Sequence, residues 1–106
     1  MNELARRVKL GPADLKDGES RPYEVGKQYV LVTRLGPDFF AIDDQCNHAG
    51  CLLSGGWRDE RAIVCPCHEH AFDVTNGQCV TTPRLYEDQP AFPLSIDNGQ
   101  IIVELP

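Results

Sequence analysis

Cys46-Asn47-His48-Ala49-Gly50-Cys51 and Cys65-Pro66-Cys67-His68-Glu69-His70 are the two stretches that decide how this chain is read. The first holds a C-x-H element, Cys46 with His48. The second holds a C-x-x-H element, Cys65 with His68. Sixteen residues separate His48 from Cys65. The chain has three histidines, His48, His68 and His70, and all fall in these stretches. Histidines scattered through a core would not cluster in this way. Each stretch reads as a loop at the end of a hairpin.

The flanks read as strands. Arg7-Val8-Lys9-Leu10 is a candidate strand stopped by Gly11-Pro12, and residues 14–19 form a charged loop with a short helical start. The strongest strand is Lys27-Gln28-Tyr29-Val30-Leu31-Val32-Thr33-Arg34. It is rich in β-branched and aromatic residues, and Val30 and Val32 share one face by the period of two. Gly36-Pro37-Asp38 turns the chain into Phe39-Phe40-Ala41-Ile42. After the loop at 43–56, Trp57 starts a strand, Arg58-Asp59-Glu60 is a charged tip, and Arg61-Ala62-Ile63-Val64 returns. Ala71-Phe72-Asp73-Val74 is a short strand, and Thr75-Asn76-Gly77 turns it into Gln78-Cys79-Val80. Pro83, Pro90 and Pro93 keep the next stretch extended. Asn98-Gly99 sits between the apolar runs at 94–97 and 100–104, a strong hairpin signal. The reading is all-β, with eight to ten short strands and no helix.

The chain's 106 residues fit one domain, 1–106. An apolar fraction of 42% and a charged fraction of 25% are globular values, which exclude a disordered tail or a coiled coil. No apolar run approaches the length of a membrane span, and the start lacks the apolar segment of a secretory signal. The net charge of −6 argues against nucleic acid and for a partner with a basic docking patch. Five cysteines without a secretory signal point to metal or redox chemistry in a reducing, cytoplasmic setting.

Two Cys and two His can hold a tetrahedral zinc ion or a [2Fe–2S] cluster. In a classical zinc finger the cysteines share one knuckle and the histidines one helix. Here each loop supplies one of each. Two facing loops would group the thiolates on one side and the imidazoles on the other, as a diiron cluster requires.

These paired elements resemble the Rieske iron–sulfur family, whose pattern is C-x-H followed at this distance by C-x-x-H. Leu53-Ser54-Gly55-Gly56, Pro66, Phe72, Asn76 and Gly77 also sit where the family has similar residues. The resemblance implies an all-β domain of three stacked antiparallel sheets with the cluster-binding loops at one tip. It implies a [2Fe–2S] cluster with Cys46 and Cys65 on one iron and His48 and His68 on the other. Neutral imidazoles in place of two thiolates raise the potential above that of all-Cys ferredoxins. The histidine edges are expected at the surface, giving the electron a short exit and linking reduction to proton uptake.

In respiratory and photosynthetic relatives, cysteines at the positions of Cys51 and Cys67 form a disulfide between the ligand loops. The resemblance implies the same bridge here, two buried free thiols being the alternative. Those relatives also carry a Ser and a Tyr whose hydroxyls stabilise the reduced cluster. Their positions hold His70 and Phe72 here, which implies a potential in the lower part of the range of about −150 to +300 mV. His70 is expected as a surface histidine, Cys79 as a half-buried strand residue, and Trp57 in the core or covering the cluster base. Asp43 and Asp44 read as a solvated turn. Gly50, Gly55 and Gly56 either bring amides toward the cluster or serve as ordinary turn glycines. Pro83 resembles the family's proline loop.

The resemblance implies a Rieske-type ferredoxin: a one-electron carrier between a flavin-dependent reductase and a terminal oxygenase, not itself an enzyme. The chain is too short to hold the 2-His-1-carboxylate iron site of an oxygenase as well. A small subunit of a larger oxidoreductase such as nitrite reductase, and a structural zinc module, are the other readings.

Overall fold

The structure, a computed structural model, describes residues 6–46, 50–67, 69–81 and 87–106. Among these residues ten strands follow one another: β1 (Arg6–Pro12), β2 (Ser20–Val25), β3 (Gln28–Leu35), β4 (Asp38–Asp43), β5 (Trp57–Asp59), β6 (Ala62–Val64), β7 (Ala71–Asp73), β8 (Ala91–Phe92), β9 (Leu94–Asp97) and β10 (Gln100–Leu105). One 3-10 turn, Leu53–Gly55, lies between β4 and β5. They form three antiparallel sheets, ordered β1-β10-β9, β2-β3-β4-β8 and β5-β6-β7. This is the all-β, three-sheet architecture expected.

β3 organises the interior because both of its faces are buried. Val30 and Val32 pack on one side with Ile101, Val103, Leu105 and Phe92. Leu31 faces the other way, into a cluster with Ile42, Leu53, Ile63, Phe72, Cys46 and Cys65. Period-two alternation thus divides one strand between two cores. The second core includes Cys46 and Cys65, and β4 leads from the sheet toward the first of them.

Several sequence expectations are corrected. Gly11-Pro12 does not stop β1; pairing with β10 continues through a register shift between Lys9 and Gly11. Gly11, at φ 136°, adopts backbone that a larger residue resists, and so accommodates the bulge. Residues 14–19 contain no helix, and Leu15 among them is buried. Its carbonyl accepts a hydrogen bond from Arg34 Nη1 at 2.7 Å. β2 was not foreseen, since Pro22 and the charges around it hide a strand. It is an edge strand, where a proline's missing N–H costs no ladder bond. Asn98 (φ 52°) and Gly99 (φ 74°) make the expected tight turn between β9 and β10.

Candidate metal centre

The loop that carries Cys46 leaves β4 through a backbone held by several hydrogen bonds. Asp43 N–H donates to Pro90 O at 2.8 Å, and Asp44 N–H donates to Tyr29 O at 3.0 Å. Leu53 N–H donates to Asp44 O at 2.6 Å. Asp44 is not a solvated turn residue, because only 1% of it is exposed. Its carboxylate accepts the Ser54 amide and the Ser54 hydroxyl, each at 2.7 Å. Burial pushes the Asp44 carboxyl above the ordinary range, against the pull of these Ser54 bonds. Asp43 is the more open of the two, and its Oδ1 accepts the Gln45 amide at 2.9 Å.

The two loops share one hydrogen-bond frame. In the first, Cys46 N–H donates to Cys51 O at 2.7 Å and Gly50 N–H donates to Cys46 O at 2.9 Å. In the second, Cys65 N–H donates to His70 O at 2.7 Å and Glu69 N–H donates to Cys65 O at 2.8 Å. Gly50 and Glu69, each four residues after its cysteine, both lie at positive φ, 76° and 58°. The same ring therefore closes twice, with Cys46 and Cys65 at equivalent positions. Both cysteines are buried and belong to one cluster with Leu53, Phe72 and Cys79. Cys51 and Cys67 are joined by a disulfide with a Cα–Cα distance of 6.4 Å, which ties one ring to the other.

Gly56 lets the first loop lie against the strand that feeds the second. A Cβ there would overlap the carbonyl oxygen of Val64 and come within 3.2 Å of Pro66 Cδ. The amides of Gly50, Gly55 and Gly56 donate to the carbonyls of Cys46, Leu52 and Leu53. These glycines thus shape the loop, the turn alternative of the sequence reading.

Other expectations shift. Trp57 is 51% exposed, so it is not a core residue. His70 is partly buried rather than a plain surface histidine, and its carbonyl closes the second ring. Cys79 is buried more completely than expected, and its amide donates to Asp88 Oδ1 at 2.9 Å. Phe72 is wholly buried beside the two cysteines and brings no donor to them. His48, His68 and Pro83 lie outside the described residues.

The donor chemistry fits a thiolate-bound metal. A thiolate shut away from water is costly unless a cation pairs with it, and metal ligation supplies that pairing. Sequence reasoning missed the polar groups that support the site, Asp44 with Ser54 and the buried Gln89. Ser54 in Leu-Ser-Gly-Gly and the acidic pair before Cys46 were the available signals; Gln89 gave none.

Comparison with known proteins agrees with this geometry. The model of the Rieske [2Fe-2S] domain matches residues 7–93. The chain is similar to the ferredoxin component of the 2,4-dinitrotoluene dioxygenase system of Burkholderia sp. (strain RASC), at 34% identity over 83% of this chain and 84% of the relative. Among solved structures it resembles a chain in the complex of reduced oxygenase and oxidized ferredoxin of carbazole 1,9a-dioxygenase. There the TM-score is 0.81 and the identity 31%, covering 92% of this chain and 91% of that one. It also resembles the Sphingomonas yanoikuyae B1 ferredoxin, at TM-score 0.83 and 25% identity, covering 95% of this chain and all of the other.

Proposed function

We propose, for a chain that belongs to the Rieske [2Fe-2S] domain family and is a ferredoxin-type electron carrier, that Cys46 and Cys65 bind one iron and His48 and His68 the other. The observation that carries this assignment is the repeated ring, which sets Cys46 and Cys65 at equivalent places in one buried cluster. The bound cluster supplies a one-electron couple. The chain's own residues hold it still. Cys46 lies three residues beyond the end of β4, Cys65 follows β6 directly, and the Cys51–Cys67 bridge ties their loops together. Ligands that barely move between oxidation states keep reorganisation small, which favours fast transfer. Phe72 places an apolar ring where a hydroxyl donor would favour the reduced state, so the potential lies in the lower part of the range for such centres, about −150 to +300 mV.

Residues 1–106 act as one domain in this reading, tied across its sheets by bonds such as Arg58 of β5 to the Ser20 hydroxyl of β2. The partners are a flavin-dependent reductase, which donates the electron, and a terminal oxygenase, which receives it in the cytoplasm. The net charge of −6 suits docking on basic patches. Among the described residues no helix is long and apolar enough to cross a membrane.

Anaerobic purification tests the reading. The expected protein is red-brown, with two irons and two acid-labile sulfides per chain and the electron resonance of a mixed Cys/His cluster after reduction. The Cys46→Ser and His48→Ala variants should each lose the cluster. A colourless protein holding zinc would overturn the assignment. Electron transfer from a reductase to an oxygenase, slowed by salt, tests the partners.

A further inference from the structure

Gln89 is a long polar side chain with 2% of its surface exposed, placed just before β8. Its surroundings explain why an amide is buried there. β4 and β8 pair through Ala41 with Phe92 and Ile42 with Ala91. One step further, Asp43 N–H donates to Pro90 O at 2.8 Å. In an antiparallel ladder the return bond would run from the N–H of residue 90 to Asp43 O. Proline has no N–H, so the backbone cannot make that bond. Gln89 Nε2 makes it instead, donating to Asp43 O at 2.8 Å and also to Gln45 O at 2.7 Å.

The second bond bears on the metal centre. The Gln45 carbonyl and the Cys46 N–H belong to one rigid peptide group. Gln89 holds the carbonyl end, and Cys51 O accepts from the N–H end at 2.7 Å. The plane that sets the direction of the Cys46 Cα–Cβ bond is thus pinned at both ends. Gln89 is in turn fixed through its own N–H, which donates to Gly77 O at 2.7 Å. Gly77 permits the approach, since a Cβ there would overlap the Gln89 carbonyl.

We propose that Gln89 is a positioning residue for the Cys46 thiolate: its side-chain amide replaces the ladder bond denied by Pro90 and locks the peptide group that aims Cys46 at the metal. The inference rests on the assignment of Cys46 as a ligand. It makes Gln89 part of the support of the redox centre.

The test uses the cluster-loaded protein and the variants Gln89→Leu, which keeps the size and removes both donors, and Gln89→Asn, which is too short to span both carbonyls. Val103→Ala, in the opposite core, is the control for lost stability alone. Cluster release to excess chelator should quicken about tenfold or more in both Gln89 variants, as buried acceptors lose their donors. The Cys46 amide should exchange with solvent faster by a similar factor, and the electron-resonance g-values of the reduced protein should move. Val103→Ala should lower the thermal midpoint without moving the g-values. Adding Pro90→Ala to Gln89→Leu should restore part of the slow release, because residue 90 then has an N–H for Asp43 O. Gln89 variants that match wild type, or that change no more than Val103→Ala does, would overturn the role of Gln89. Wild-type protein without a cluster would instead overturn the ligand assignment, and Cys46 amide exchange in wild type against Gln89→Asn would still decide whether Gln89 pins that peptide.

Discussion

On one face of β3, Val30 and Val32 meet Ile101, Val103 and Leu105, and on the other Leu31 meets Ile42, Phe72 and three cysteines. The first core is spanned by strands of six to eight residues, among them β3, β4 and β10. The second is roofed by β5, β6 and β7, of three residues each. Short strands supply few ladder bonds, and the tip adds other ties. Asp73 Oδ1 accepts the Thr75 amide and hydroxyl at 2.8 and 2.6 Å, and Asp44 holds Ser54. Arg58 reaches across to Gly18 O and the Ser20 hydroxyl, each at 3.1 Å. The base is held mainly by apolar burial. The tip is a small core closed by polar clamps, one covalent bridge and, when loaded, a metal cluster.

The largest effect should come from removing the iron. Chelation should leave amides of β3 and β10 protected from hydrogen exchange while those of β5 to β7 exchange freely. Loss of protection in both regions together would break the distinction between base and tip.

Phe72→Ala should cost about 4 kcal/mol in chemical denaturation, since a wholly buried ring leaves a cavity in a core with little else to fill it. The loss should appear with the cluster's visible absorbance before the base unfolds. Cys51→Ser should cost about 3 kcal/mol through the freed loop, provided the bridge is intact in wild type. Alkylation and mass measurement of the unreduced protein checks that condition, and two extra reactive thiols would refute it.

The smallest effect belongs to the base surface. Asp14 lies 2.7 Å from Arg21, whose hydrogen bond holds the Asp14 carboxyl below its ordinary range. A lowered folded value means stabilisation that is present above the unfolded range and lost as pH falls through the folded value. Asp14→Asn should therefore lower the thermal midpoint slightly at neutral pH, and the difference from wild type should vanish in strong acid. A difference that persists there would remove charge as its cause.

The base was legible in the sequence because its signals are local. Alternation in residues 27–34 and Asn98-Gly99 each state a strand or turn within a few positions. β2 was lost to Pro22, whose meaning depends on the strand standing at an edge. At the tip, Cys and His spacing disclosed the metal chemistry, because ligand types are few and their geometry is demanding. The support beneath it was hidden. Gln89 and Asp43 are 46 positions apart, and Asp44 becomes a buried group once Ser54 arrives from the far side of the loop. Nothing local distinguishes Gln89 from a solvated residue, and the signals at Asp44 and Ser54 do not state that the two meet.

The twice-repeated ring has a consequence for how this centre tolerates change. Each ring is a six-residue turn, from 46 to 51 and from 65 to 70, and the bonds that define it among the described residues join main-chain atoms. Lengthening either turn by one residue would have to break one of these bonds, whereas exchanging side chains at positions that neither sit at positive φ nor form the bridge would not. The scaffold therefore separates the geometry of the turn from the identity of what the turn presents, so that new donor atoms can be installed at a fixed address without redrawing the backbone.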